Sequence, residues 1–203
     1  MTAGRVAAIL LAVVLSATGC HGKQPHAAPV PSFSPNPARS ELVQRADLAP
    51  CPRSTAAAVP GGLPDVTLPC LGAGPAVRLT GVRGRPMVLN IWASWCGPCQ
   101  KETPYFAQAY DALKARVLFL GVDDEDDPDS ALDFAAHVRP PMHYPSVVDE
   151  NKKVLLAMQA SGPVGVPSTV FVSASGHVLH RTIVAYTSAA SLRADIAHYL
   201  GVT

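Results

Sequence analysis

The residues with the most chemistry to offer in this 203-residue chain are two cysteines with two residues between them, Cys96 and Cys99, within Trp95-Cys96-Gly97-Pro98-Cys99. A dithiol catalyst needs two sulfurs close enough to close a disulfide, so that each can in turn attack and be released. A C-x-x-C across one helical turn meets that need. It also needs one thiolate near neutral pH, because the thiolate is the nucleophile. The partial positive charge at a helix N-terminus favours that anion. Cys96, ahead of the first turn, is expected to be the nucleophile. Cys99, a turn further in and more buried, is expected to be the resolving thiol, with electrons passing through a mixed disulfide on Cys96. No cofactor beyond the Cys96–Cys99 pair is expected.

The pattern around the pair supplies the elements that position it. Residues 86–92 (PMVLNIW) form a continuous apolar run, as in a central strand buried on both faces. A helix over 96–115 follows, with Phe106, Ala109, Tyr110 and Leu113 on one face. Residues 117–122 (VLFLGV) read as a second buried strand. Asp127 caps a helix over 130–138, with Pro128 at its first position. A strand over 144–148 and a short helix over 152–159 come next. Strands at 168–172 and 177–183 flank Ser173-Ala174-Ser175-Gly176, a hairpin signal. Ser188 caps a last helix through Leu200, with Leu192, Ile196 and Leu200 facing inward. A short strand over 77–79 precedes the whole set. Helices alternating with buried strands predict an α/β sandwich.

The chain begins like an export signal: Arg5, then apolar residues 6–15, then Ser16-Ala17-Thr18-Gly19-Cys20. The apolar run is short for a bilayer crossing, which takes about 20 residues. Small residues ending in a cysteine resemble a lipobox, with Cys20 becoming the lipidated anchor, although Ala17 stands where Leu, Val or Ile is usual. Ordinary signal cleavage is the alternative. Residues 21–45, rich in Pro, Ala and Ser, read as an extended tether. Of the five cysteines, Cys51 and Cys70 then remain, and in an exported chain they are expected to pair as a structural disulfide within a cap over 46–75.

The segment Ile91-Trp92-Ala93-Ser94-Trp95-Cys96-Gly97-Pro98-Cys99 resembles the active site of the thioredoxin superfamily. More narrowly, it resembles the TlpA/ResA branch of exported, membrane-attached thiol–disulfide oxidoreductases. Pro104 matches the proline of that family's active-site helix. Gly165-Val166-Pro167-Ser168-Thr169 matches its cis-proline loop. The 123–148 stretch corresponds to the helix–strand insertion of the branch, and the resemblance spans residues 60–203. It implies a thioredoxin-like α/β fold with a central mixed sheet, and a protein disulfide or thiol as substrate. It implies Trp95, Gly97, Pro98, Val166 and Pro167 as the substrate-facing residues, and a membrane electron donor of the CcdA/DsbD kind as partner. A monomer is expected. Thioredoxin carries an Asp on the strand before the motif, whereas this chain has Asn90, which cannot titrate. Glu102 matches a glutamate of the ResA group and at i, i+3 from Cys99 is either a proton acceptor for that thiol or a solvated first-turn acid.

Other chemistries fit less well. A closed zinc site needs a second ligand pair, and His137, His143, His177 and His180 are scattered, so no metal is expected. The acidic run 123–127 lacks the Gly and terminal Glu of an EF-hand loop and reads as a solvated loop with a helix cap. Met142 and His143 read as part of a proline-rich connector. A net charge of +1 gives no basic footprint for nucleic acid. The peroxidase pattern P-x-x-x-T-x-x-C is absent around Cys96, and the C-x-x-x-C spacing of copper carriers is not met. Gly97-Pro98 resembles thioredoxin, near −270 mV, more than the oxidant DsbA, at about −120 mV. A reductase of exported cysteines, such as apocytochrome c C-x-x-C-H thiols, is therefore expected ahead of an oxidase or isomerase on the same fold, or a non-catalytic thiol- or copper-binding carrier.

Overall fold

In a computed structural model, residues 37–203 are described. The export signal, Cys20 and most of the expected tether lie outside them. One five-stranded mixed sheet organises the rest. Its strands are β3 (Met87–Trp92), β4 (Leu118–Asp124), β5 (Ser146–Asp149), β6 (Ser168–Val172) and β7 (Val178–Thr182), in the order β5-β4-β3-β6-β7. Strands β3, β4 and β5 run parallel, while β6 and β7 are antiparallel to their neighbours. A two-stranded ribbon, β1 (Thr67–Leu68) and β2 (Val77–Arg78), precedes the sheet.

Both sheet faces are covered, and the strand residues divide between them with the period of two that a pleat imposes. Val88 and Trp92 of β3, Phe119 of β4 and Phe171 of β6 join one core with the helices α2 (Gly97–Leu113), α3 (Pro128–His137) and α5 (Ala189–Leu200). Leu89 and Ile91 of β3, Leu120 and Val122 of β4 and Val170 of β6 face the other core, with the ribbon and α4 (Lys153–Met158). This is the thioredoxin-like α/β sandwich. Every residue of β3 is buried, the polar Asn90 included, as its predominantly apolar run predicts.

The helix ends follow local rules. The Asp127 carboxylate accepts from the N–H groups of Asp129 and Ser130, both at 3.0 Å, and Pro128 opens α3. Ser188 caps α5 by accepting from Ser191 N–H at 3.1 Å. Pro104 lies inside α2, where it removes one backbone donor. Two peptide bonds are cis: Val166–Pro167, as the loop resemblance implies, and Arg139–Pro140, which the sequence reading did not anticipate.

Several boundaries differ from the sequence reading. The expected tether over 21–45 is not extended throughout: Pro37–Ala46 form a helix, α1, packed on α3 through Leu42, Val43 and Ala46. β4 runs two residues past Val122 because Asp123 and Asp124 pair with Val148 and Asp149 of β5. The acidic run is therefore not a solvated loop at its start, since Asp123 and Asp124 are buried. In the connector, Met142 and Tyr144 are also buried.

Cys51 and Cys70 are disulfide-bonded with their Cα atoms 6.0 Å apart. The bond closes the N-terminal cap, which lies against the sheet edge: Cys70 bridges Val147 of β5, and Leu71 N–H donates to the Ser146 carbonyl at 2.8 Å.

Candidate active site

The end of β3 delivers the motif. Trp92 closes the strand, Ala93 and Ser94 turn the chain, and Cys96 stands as the N-cap residue of α2 in extended backbone conformation. Pro98 sits in the first helical turn, where its missing N–H and fixed φ cost nothing. Cys96 and Cys99 are joined in a disulfide, with Cα atoms 5.2 Å apart. Cys96 is 4% exposed and Cys99 fully buried, the asymmetry that an attacking and a resolving sulfur need. The Cys96 Sγ accepts from Cys99 N–H at 3.3 Å. One of the helix's orphan donors is therefore already aimed at the sulfur that would carry negative charge after reduction.

The loop ahead of the motif is held from three sides. Ser94 N–H donates to the Asp126 carboxylate at 2.5 Å, and the Gln100 amide donates to the Ser94 carbonyl at 2.6 Å. The Trp95 indole N–H donates to the Glu125 carbonyl at 3.0 Å. The ring is 57% exposed and stands on the surface beside Gly97 and Pro98, which are exposed too. Trp92 is wholly buried and packs on Phe134. Val166 and Pro167 directly precede β6, whose Ser168 pairs with Ile91, so the loop reaches β3 at its motif end. Val166 is half-buried and Pro167 buried. A groove lined by Pro98, Lys101, Tyr105, Ala185, Tyr186 and Thr187 runs alongside the start of α2.

Glu102 is not a solvated acid. It is 1% exposed, on the same buried side of α2 as Cys99. Asn90 Nδ2 donates to one carboxylate oxygen at 2.9 Å, and Tyr186 N–H donates to the other at 3.0 Å. Tyr144 Oη in turn donates to Asn90 Oδ1 at 3.2 Å. Burial pushes the Glu102 carboxyl up to about 7, against the opposing pull of the Tyr186 N–H and the Asn90 amide. Neither of those donors is charged. Desolvation of the charged form dominates, and a carboxyl that titrates near neutrality results.

Sequence reasoning found Cys96, Cys99 and Glu102, and the structure brings them to one end of α2. It missed Tyr144, Tyr186 and Asp126 as supports. Tyr186 acts through its backbone from 84 residues away, and no spacing announces it. Asn90 was noted only as a position that cannot titrate, whereas it orients the group that can.

The AhpC/TSA family profile matches residues 61–181. The chain is 34% identical over 125 residues to the thiol-disulfide oxidoreductase ResA of Geobacillus kaustophilus, covering 61% of this chain and 68% of that protein. It is 34% identical over 94 residues to a DsbE homologue, a thiol:disulfide interchange protein of Paracoccus denitrificans, covering 46% and 48% of the two chains. In fold it is similar to a secreted Mycobacterium tuberculosis disulfide oxidoreductase homologous to E. coli DsbE. That match has a TM-score of 0.56 and 23% identity, and covers 66% of this chain and 96% of the other. With a helix-capped C-x-x-C on a thioredoxin-like sheet, the chain belongs to the AhpC/TSA family, as a thioredoxin-like member related to the thiol–disulfide oxidoreductases.

Proposed function

We propose that this protein is an extracytoplasmic thiol–disulfide reductase, acting on protein disulfides such as those of apocytochrome c C-x-x-C-H sites. One observation carries the direction: Glu102 is buried one helical turn beyond Cys99 with neutral partners only. A strong oxidant of this fold is one whose reduced, thiolate form is stabilised. A buried acid beside the inner thiol does the opposite, since its negative charge opposes a second one nearby. The reduced pair is then the electron-rich form that gives its electrons away.

The steps follow from the placement of the groups. The Cys96 thiolate attacks one sulfur of the substrate disulfide, forming a mixed disulfide and releasing the other substrate sulfur as thiolate. Glu102 accepts the Cys99 proton. The Cys99 thiolate attacks Cys96 Sγ, the Cys96–Cys99 disulfide closes, and the second substrate thiolate leaves. Two electrons pass to the substrate in all; its two released thiolates take up protons from water, and Glu102 returns the Cys99 proton to water. Trp95, Gly97 and Pro98, with the Val166–Pro167 loop, form the face that receives it.

Recharging needs a dithiol donor. In an oxidising compartment that role falls to a membrane carrier of the CcdA/DsbD kind, with Cys20 as a lipid anchor holding the domain near it. Titration of the Cys96–Cys99 pair against a thiol redox buffer tests the direction. A potential near or below about −250 mV supports the reductase, and one near −120 mV assigns disulfide formation instead.

A further inference from the structure

Asp123 is the least expected side chain in the fold. It lies at the end of β4, fully buried, and no N–H or O–H donor reaches either of its carboxyl oxygens. An ionised carboxylate in that setting is costly. What does lie within hydrogen-bond reach is a second carboxyl, that of Asp126. Two carboxylates repel each other, whereas a carboxylic acid facing a carboxylate makes a strong O–H···O bond. The charges that act on Asp123 are those of Asp126, Asp124 and Asp127, all from its own strand and the loop after it. Its neighbours across the sheet, Trp92 and Val148, carry none, nor does Phe134 of α3 against Trp92.

Asp126 is also the residue that grips the active-site loop, through the Ser94 N–H at 2.5 Å, while the adjoining Glu125 carbonyl holds the Trp95 indole at 3.0 Å. We infer that Asp123 and Asp126 share one proton, and that this acid pair fixes the 125–126 segment so that it holds Ser94 and Trp95 in place, making Asp123 a positioning residue for Cys96. The proton replaces repulsion with a bond, and the Asp126 carboxylate keeps its remaining lone pairs for Ser94 and for the Asp127 N–H at 2.8 Å. Burial first, and then the Asp126 charge, push the Asp123 carboxyl up to about 9, in keeping with an acid that stays protonated at neutral pH.

The inference rests on the dithiol reading above, but its test needs no turnover. In the disulfide form neither Cys96 nor Cys99 titrates. Acrylamide quenching of tryptophan emission then reports on the exposed Trp95, with Trp92 shielded. The quenching constant is expected to rise about twofold as the pH passes about 9, when Asp123 ionises and the pair breaks. In Asp123→Asn the amide donates to Asp126 at every pH, and the rise should vanish. In Asp126→Asn an amide donor faces Asp123, and the rise should move to lower pH. Asp123→Asn should also keep the wild-type rate of mixed-disulfide formation at neutral pH, whereas Asp123→Leu, which keeps the bulk and loses the bond, should slow it about tenfold or more. No rise in the wild type, or a rise unchanged in both Asn variants, overturns the inference.

Discussion

Asn90 and Glu102, twelve residues apart, meet between sheet and helix with the amide donating to the buried carboxylate at 2.9 Å. The contact places a neutral donor where a cation would have held the acid permanently ionised. Glu102 is thereby left free to titrate close to the pH at which thiols exchange.

Replacing Glu102 should flatten both a rate profile and a stability profile. Its folded value, about 7, lies above the ordinary 4.5, so the folded state binds more protons than the unfolded one between those values. Stability therefore falls as pH rises through that window, by about 3 kcal/mol at most for a shift of this size. Glu102→Gln should remove that part of the decline in urea unfolding between pH 4.5 and 7. The same variant should slow resolution of the mixed disulfide by about a hundredfold to ten-thousandfold, the usual worth of a positioned proton acceptor. A resolution rate that keeps its wild-type pH dependence would refute the assignment.

Asn90→Ala should act through Glu102 without touching sulfur. The amide pulls the carboxyl downward, so its loss should raise the Glu102 midpoint further. Carboxyl infrared bands or carbon NMR of Glu102 across the titration would read the shift. A midpoint that fell would mean that the amide does not favour the charged form.

Trapping separates the two sulfurs. Cys99→Ser should accumulate partners as mixed disulfides on Cys96, because the resolving attack is lost. Cys96→Ser should accumulate none. Non-reducing electrophoresis followed by peptide mapping gives the answer, and the reverse pattern would exchange the two roles.

Loss of the Cys51–Cys70 bond should weaken the fold and spare the chemistry. The loop it closes has a sequence separation of 19. Cross-linking a loop of that size stabilises by roughly 3 kcal/mol in the chain-entropy account. The Cys51→Ala, Cys70→Ala double variant should therefore unfold at lower urea with an unchanged potential at Cys96–Cys99. A shifted potential would tie the cap to the active site.

What was legible in the sequence was local. The Cys96–Cys99 spacing, the Asp127 and Ser188 caps and the apolar runs of β3 and β4 depend on residues within a turn or two of one another. What was not legible depends on distant partners. Glu102 reads equally as a proton acceptor and as a solvated first-turn acid until Tyr186 and Asn90 close over it. Asp123 reads as loop until β5 extends the pairing beneath it. α1 was hidden in a composition that suits an unpacked spacer, and the face of α3 that it covers is what gives it a reason to be helical.

The N-terminal cap touches both borders of the sheet. Gly62 bridges His177 beside β7, and Gly61 accepts from Val178 N–H at 2.9 Å, while Cys70 bridges Val147 on the opposite border. A bare strand edge is a template on which another chain can add itself. Here one short stretch of polypeptide, fastened by a disulfide, occupies positions on both such templates. On the function proposed above, the molecule meets sulfur-bearing protein chains as part of its work. With its borders engaged by its own backbone, it can hold them by sulfur and let them go without becoming the seed on which they aggregate.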